Sequence, residues 1–217
     1  QIVVGALKSG MVGRKSWSDK ARNLDVFDIK SDTVRTLIEL GVKESDLYLS
    51  SKTKNCYHPG RSGSLHLKSE NGPLLGSFGE LHPAIITSFD FKENNIFGLE
   101  IFLKNIPKLN KKIRAYKEKY VVSDYQKSER DFAFVIDKSY KVGDLQLLIK
   151  KIDSAIIKNV ITFDVFEGQS IPEGKKSVAI NVTIQALDKT LTEKDLDSIS
   201  QKIIETVKEK TGATIRS

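Results

Sequence analysis

The sequence has few of the residues that build disulfides or metal sites. Its 217 residues include one cysteine, Cys56, and three histidines, at positions 58, 66 and 82. A single cysteine excludes a disulfide within this chain and any cysteine-based zinc site, which fits a reducing compartment. The three histidines follow no recognised zinc spacing, so we expect no metal site here.

Long apolar runs are also missing. The longest, such as residues 101–103, are far shorter than the roughly 20 residues that a membrane-spanning helix needs. The first residues carry no signal-peptide pattern, so we expect a cytoplasmic protein without membrane contact. Because the sequence starts with Gln1 instead of Met and runs directly into strand-like IVVG, we expect a piece of a longer protein.

Positive charge is concentrated in one stretch. The formal net charge is +7, yet residues 122–217 hold 15 basic and 15 acidic side chains. Seven Lys and Arg residues lie between positions 104 and 119, opposed only by Glu118. Such a run is either a solvated connector or an arm that contacts phosphates, and charge alone leaves both interpretations open.

The chain divides into two blocks. Pro107 ends an apolar segment, and the basic run then leads to a new block, so we predict domains at residues 1–121, with a basic linker at 104–121, and 122–217. The first block predicts a mainly antiparallel sheet, and its segment SDTVRTLIELGV predicts a helix capped by Ser31 or Asp32. The predicted strands are IVVGAL, DVFDI, DLYLSS, SLHLKS, PLLGSFGEL and FGLEIFL.

The second block predicts the order β-α-β-β-α-β, the ferredoxin-like arrangement, which makes the whole chain α+β. Its last helix is expected to start with a capping box of Thr190 and Glu193 and to end at Gly212. Right-handed crossovers place both helices on one face of the four-stranded sheet. The other face should therefore stay open.

Alternation along the strands predicts which residues share that open face. In KSVAINVTIQ, residues 176–185, branched apolar side chains alternate with short ones such as Ser177. In RDFAFVID we expect Asp131, Ala133 and Val135 to point outward, and Phe132, Phe134 and Ile136 to point inward. In FDVFEG we expect Asp164 and Phe166 outward, and Phe163 and Val165 inward.

An exposed Phe166 beside Asp164 is suited to binding an RNA base. The ring can stack on the base, the carboxylate can accept hydrogen bonds from a guanine edge, and small neighbours leave room. Lys175 and Lys176 are candidate phosphate contacts. The alternative is that Phe166 packs under the loop GQSIPEG and Asp164 caps a turn, and the pattern alone does not decide between the two.

Seven motifs follow one another along the chain: YHPGRSG, GSFGELHP, SERDFAF, FDVFEG, GKKSVAINVTIQ, TLTEKDL and TGATIR. Together they resemble the C-terminal part of the bacterial phenylalanyl-tRNA synthetase β chain. The resemblance is close from Tyr57 onward and looser before it. It implies a non-catalytic module, shaped like a class II synthetase core, followed by a ferredoxin-fold anticodon-binding domain.

The resemblance also implies which residues receive the first anticodon base, a guanine in tRNA-Phe. The family's RDxA, FDxY and KS motifs correspond to Ala133, Asp164, Phe166 and Ser177. The family often has Tyr where this chain has Phe166, so stacking is retained while a hydroxyl hydrogen bond is lost.

The resemblance further implies a ligase whose chemistry lies elsewhere. Phenylalanine activation with ATP and Mg²⁺ would occur on an α chain, in an (αβ)₂ assembly, and this chain would need no cofactor. Two other classes stay open: a free-standing RNA-binding protein with an RRM-like sheet, and a hydrolase using Glu80 and His82 with His58 and Arg61. We expect the latter four residues to be structural, since no nucleophile or metal ligand accompanies them.

Overall fold

The computed structural model describes residues 2–13, 16–17, 20–89, 91–92, 95–108 and 122–216. The chain forms two compact units, Gln1–Glu118 and Lys119–Ser217, and each is described by itself. Most of the predicted basic linker, residues 109–121, lies outside the described residues.

The first unit is built on a five-stranded antiparallel sheet in the order β1-β7-β6-β5-β4, as the short alternating segments predict. Strands β2 and β3, which follow β1 in the chain, form a separate two-stranded antiparallel sheet. The elements are β1 (Val3–Ser9), β2 (Met11–Val12), β3 (Arg22–Asn23), α1 (Val26–Glu39), β4 (Leu47–Ser50), β5 (Tyr57–Leu67), β6 (Leu74–Leu81), α2 (Pro83–Ser88) and β7 (Ile96–Phe102).

Helix α1 starts earlier than predicted. The cap is Asp25, whose carboxylate accepts from the backbone N–H groups of Phe27 at 2.8 Å and Asp28 at 3.1 Å. Asp28 returns the bond by accepting from the Asp25 N–H at 2.9 Å, which completes a capping box. The predicted caps at Ser31 and Asp32, and the predicted strand DVFDI, are therefore wrong, because this box allows the helix to begin about two turns sooner.

Helix α1 covers one face of the sheet. Ile29, Thr33 and Leu37 lie four residues apart, on one side of the helix, and all three are buried. They pack with alternate residues of the sheet to form the core of this unit. The sheet contributes Leu65, Leu75, Phe78, Phe97, Leu99 and Ile101.

The second unit has the predicted β-α-β-β-α-β order. A short final strand joins three long ones in an antiparallel sheet with the order β11-β8-β10-β9. The elements are β8 (Ser128–Asp137), α3 (Val142–Ile152), β9 (Ile157–Phe166), β10 (Lys175–Ile184), α4 (Glu193–Thr211) and β11 (Thr214–Ile215).

Both helices of the second unit pack on the same face of its sheet. Leu145 and Ile149 of α3, and Ile203 and Val207 of α4, belong to one buried cluster. The sheet supplies Phe132, Phe134, Ile136, Val178, Ile180, Val182 and Ile184 to that cluster. The inward orientation predicted for β8 and β10 is confirmed, and no described helix of this unit lies on the other face.

The ends of α4 are only partly as predicted. The capping box uses Thr192 and Asp195, so the predicted pair Thr190 and Glu193 is wrong by two residues. Both pairs fit the same Thr-x-x-acid pattern, and the helix begins where the carboxylate reaches the cap backbone. Gly212 ends the helix as predicted, with a left-handed φ of 68° that glycine adopts without strain.

Candidate nucleic-acid interface

The sheet of the second unit has one face without a helix, which we call the open face. On β10 its residues are Ser177, Ala179, Asn181 and Thr183, which alternate with the four buried apolar residues of that strand. Residues directly opposite each other on paired strands point to the same side of a sheet. The strand register therefore identifies the remaining residues of the open face, on the strands that pair with β10.

Two neighbouring rows across the strands contain all four residues predicted to receive a base. Ala179 of β10 stands opposite Ala133 of β8 and Asp164 of β9. Ser177 stands opposite Val135 of β8 and Phe166 of β9. The structure thus brings Ala133, Asp164, Phe166 and Ser177 together, while their role in binding stays a prediction.

A β-bulge in β9 corrects one part of the parity prediction. Ala179 pairs with Asp164, whereas the next residue, Ile180, pairs with Thr162, so Phe163 is an extra residue on the edge strand. Phe163 is 59% exposed and does not join the buried core, so its predicted inward position is wrong. Counting by twos cannot detect the bulge, yet Asp164 and Phe166 keep their predicted face because both follow it.

The register after the bulge also determines which face of the sheet Val165 lies on. It stands opposite the buried Val178, on the helix side as predicted, but it is 47% exposed. On the other side of the bulge, Gln146 of α3 donates to the Thr162 hydroxyl at 3.1 Å, so that residue also faces the helices. The edge strand β9 is therefore less well covered at its end than the central strand β10.

The Phe166 ring is held in place while part of its surface stays accessible. A Cβ atom added to Gly168 would lie only 2.6 Å from Cζ of the ring, so the turn after β9 packs closely against the ring tip. The contact that the alternative interpretation requires is thus present at the start of the loop. Phe166 nevertheless remains 40% exposed, which leaves surface for stacking.

Asp164 is available as a hydrogen-bond acceptor. The residue is exposed, and within the described part of the chain no group donates a hydrogen bond to its carboxylate. This finding does not support the alternative that Asp164 caps a turn. Ser177 differs, because it is only 4% exposed and lies at the bottom of the site, between Val135 and Phe166.

The two candidate phosphate contacts point to different sides. Lys175 stands opposite Asp137 and shares the parity of Ser177, so it belongs to the open face. Lys176 has the opposite parity, and its ammonium group donates to the Lys138 carbonyl at 2.9 Å. Hydrogen bonds from Ser139 lower the pKa of Asp137, which keeps a negative charge beside Lys175.

Arg216 is part of this site, although sequence reasoning did not single it out. Its backbone N–H donates to the Ala133 carbonyl at 2.8 Å, which extends the pairing of β11 with β8 by one residue. Its guanidinium carbon lies 5.6 Å from the centroid of the Phe166 ring. The alternation of Thr214 and Arg216 gave a faint signal, but only the pairing with β8 places the side chain here.

Profiles of two known domain families match separate parts of the chain. The profile described as the ferredoxin-fold anticodon binding domain matches residues 123–216. The profile described as the phenylalanyl tRNA synthetase beta chain CLM domain matches residues 2–103. The predicted boundary at residue 121 lies between the two ranges, and it stays a prediction.

Full-length relatives extend both matches. The phenylalanine–tRNA ligase beta subunit of Rickettsia prowazekii (strain Madrid E) is 34% identical over 213 residues, which cover 97% of this chain and 26% of the relative. That of Paramagnetospirillum magneticum is 35% identical, covering 100% and 27%, and that of Bartonella henselae is 38% identical, covering 98% and 26%. The chain belongs to the phenylalanine–tRNA ligase beta subunit family. The resemblance of the motifs is thereby confirmed.

Family membership does not favour the two other classes. A free-standing RNA-binding sheet does not account for the match to residues 2–103, which belong to the same ligase subunit. The chain spans about a quarter of the length of these ligase relatives. In the described ranges, no helix is long and apolar enough to cross a membrane.

The residues considered for a hydrolase all have structural partners in this ligase family member. Arg61 forms an ion pair with the buried Glu80, including a bond from Nη2 to Oε1 of 2.8 Å. The imidazole Nδ1 of His82 accepts from the Ala84 N–H at 3.2 Å and caps α2. His58 Nδ1 likewise accepts from the Gly60 N–H at 3.0 Å, within β5. Each of the four thus has a hydrogen-bond partner within the chain, and their purely structural role stays a prediction.

The described residues show no cluster of three or more side chains that commonly bind metals, namely those of His, Cys, Asp and Glu. The assignment of ATP and Mg²⁺ to another chain stays a prediction.

Proposed function

We propose that this chain recognises the anticodon of tRNA-Phe, as part of the beta subunit of a phenylalanine–tRNA ligase. The observation that carries the proposal is the pair of neighbouring rows on the open face, which combine Phe166, Asp164 and two alanines. Membership in the ligase family and the match of residues 123–216 to an anticodon-binding domain support the same function.

The chemistry of the open face is suited to a guanine as first anticodon base. The Phe166 ring offers an apolar surface on which an unstacked base can lie. The Asp164 carboxylate can accept hydrogen bonds from the N–H groups on the Watson–Crick edge of guanine, which adenine and the pyrimidines do not present in the same pattern. Ala133 and Ala179 stand opposite each other on β8 and β10, and their small side chains leave space for the base.

Lys175 is the better candidate for a phosphate contact, because it lies on the open face. The ammonium group of Lys176 already donates a hydrogen bond to a carbonyl. Such contacts add affinity without sequence preference, since every nucleotide carries a phosphate. Base recognition and phosphate attraction therefore differ in their dependence on salt.

The ligase reaction itself belongs to another part of the enzyme. We propose that an α chain binds phenylalanine, ATP and Mg²⁺, in an (αβ)₂ assembly in the cytoplasm, and that ATP supplies the activation of the amino acid there. This chain contributes binding energy, which holds the tRNA so that its acceptor end reaches that site. Its own residues take no part in bond making.

The proposal is tested by binding of the chain to the tRNA-Phe anticodon stem-loop and to a copy with the first anticodon base changed. Each affinity is measured at two salt concentrations. We expect a preference for the native stem-loop that persists at the higher salt concentration, because base contacts are less sensitive to screening than phosphate contacts. Equal affinities that fall together with salt would show a basic surface without base recognition, and would contradict the proposal.

A further inference from the structure

The guanidinium of Arg216 occupies the space above the base-stacking ring. Arg216 pairs with β8 near one edge of the sheet, whereas Phe166 ends β9 at the other edge. Strands β8 and β10, which carry Ala133 and Ala179, lie between them. The Arg216 and Phe166 side chains therefore meet across the small residues of the open face, with 5.6 Å between guanidinium carbon and ring centroid.

Arg216 combines a fixed backbone with a loosely held side chain. The hydrogen bond from its N–H to the Ala133 carbonyl, 2.8 Å long, holds the main chain at the sheet. The guanidinium itself contacts the Phe166 ring and lies 3.5 Å from the Ser170 hydroxyl, a long hydrogen bond. Among the described residues no carboxylate forms an ion pair with it. The group can thus move without breaking a strong interaction.

We propose that the first anticodon base enters between the Phe166 ring and the Arg216 guanidinium, so that both faces of the base are stacked. This inference rests on the proposed function of the open face. At contact distances of about 3.5 Å, a base stacked on both sides needs about 7 Å between the two planes. The distance of 5.6 Å between guanidinium carbon and ring centroid is shorter than this, so Arg216 moves outward to admit the base, which its long side chain allows.

The arrangement separates two kinds of recognition. Phe166 and Arg216 hold the faces of the base, which are similar for all bases, and Asp164 contacts the edge, which is specific. A planar guanidinium stacks on a base, whereas the ammonium group of lysine is a compact charge with no plane to stack. An Arg216→Lys substitution therefore separates stacking from charge.

The experiment compares three variants of the chain in binding to the native tRNA-Phe anticodon stem-loop: Arg216→Lys, Arg216→Ala and Lys202→Ala. Lys202 is an exposed residue of α4, in the helix layer, and its loss controls for one positive charge. We expect both Arg216 variants to bind about tenfold more weakly, as loss of one stacking contact implies. Lys202→Ala should stay within about twofold of the native chain. The Lys variant should keep the salt dependence of the native chain, because its charge is retained.

A stem-loop with 2-aminopurine at the first anticodon position reports stacking directly through its fluorescence. We expect the native chain to quench it more strongly than either Arg216 variant does. Native affinity and quenching in Arg216→Lys would mean that only charge matters, and tighter binding by Arg216→Ala would mean that Arg216 blocks the site. Either result overturns the inference.

The same measurements distinguish failure of this inference from failure of the proposed function. If the native chain does not prefer the native first base, the proposed function fails and the inference fails with it. If that preference is present and is lost on Phe166→Ala, but the Arg216 variants behave like the native chain, only the inference fails. Because Arg216 is exposed, we expect its variants to unfold at the same urea concentration as the native chain. Urea denaturation of the variants therefore excludes loss of folding as the cause of weaker binding.

Discussion

Both units place a helix layer on one face of an antiparallel sheet, but their second faces differ. In the first unit, one row across that face consists of polar residues that are mostly buried and bonded within the chain. In the second unit, the corresponding face presents an exposed carboxylate and a partly exposed ring. The row of the first unit is Ser50, Ser64, Ser77 and Glu100.

In the first unit, main-chain and side-chain groups of the unit itself bond to Ser50, Ser64 and Glu100 of this row. The Ser64 hydroxyl donates to the Lys52 carbonyl at 2.6 Å, and the Glu100 carboxylate accepts from the Lys54 ammonium group at 2.8 Å. Both lysines follow β4, so the segment between β4 and β5 covers this face. The comparison shows that alternation predicts two faces, while the path of the loops decides which of them a ligand can reach.

The largest expected effect is the difference in stability between substitutions on the two faces of strand β10. Ile180 is fully buried beneath the helices, so we expect Ile180→Ala to lower the free energy of unfolding by about 2–5 kcal/mol. Thr183, on the open face of the same strand, should change it by no more than about 0.5 kcal/mol when replaced by Ala. Urea denaturation followed by circular dichroism measures both. Similar losses for the two variants would contradict the division into a covered and an open face.

A smaller effect is expected for the ring on the open face. Phe166→Ala should weaken binding of the tRNA-Phe anticodon stem-loop by about 1–3 kcal/mol, since one base stack is lost. The matched control is Phe163→Ala, because Phe163 is also exposed on β9 but belongs to the bulge. Titration with labelled stem-loop gives both affinities. An unchanged affinity for Phe166→Ala, or an equal loss for Phe163→Ala, would remove Phe166 from the site.

Two buried serines, one on each of these faces, should differ by a smaller amount in their contribution to stability. Ser64→Ala should cost about 1 kcal/mol of stability, because the Lys52 carbonyl loses its hydrogen-bond donor. Ser177 has no hydrogen-bond partner within the described part of the chain, so Ser177→Ala should leave stability almost unchanged. Urea denaturation of the two variants tests this difference. If both serines cost the same, the covered and open faces do not differ in the way proposed.

The smallest effect concerns the capping boxes of the two units. A hydrogen bond from Arg22 is the main cause that lowers the pKa of Asp28, and the Thr192 backbone N–H lowers the pKa of Asp195. A pKa lowered by folding adds stability above the unfolded value of about 3.9, and this is lost as pH falls toward the folded value. Asp28→Asn and Asp195→Asn should therefore destabilise at pH 7, and less at pH 3.

Denaturation of both variants at the two pH values measures the change. We expect the larger difference for Asp28→Asn, because Asp28 faces a guanidinium while Asp195 has a lysine 3.3 Å away. A destabilisation that is the same at pH 3 and pH 7 would mean that the negative charges contribute nothing.

Local sequence patterns predicted the regular parts of the fold, and they failed at irregular positions such as a helix start and a β-bulge. The alternation of β10 correctly assigned Val178, Ile180 and the residues between them, because a strand buried on one side repeats every two residues. The start of α1 was missed because DVFDI, residues 25–29, was interpreted as a strand, although Asp25 and Asp28 have the spacing of a capping box. Phe163 was misplaced because a bulge changes the period without a sequence mark.

The sequence by itself determined the family, the order of the elements in the second unit and four residues of the candidate site, because motifs and periodicity are properties of neighbouring residues. Only the tertiary structure decided that Ser177 lies at the bottom of the site, that Lys175 and Lys176 diverge, and that Arg216 lies above Phe166. Arg216 and Phe166 are 50 positions apart, and the strand order β11-β8-β10-β9 brings them together. Contacts of that kind depend on how strands pair, which a local pattern does not encode.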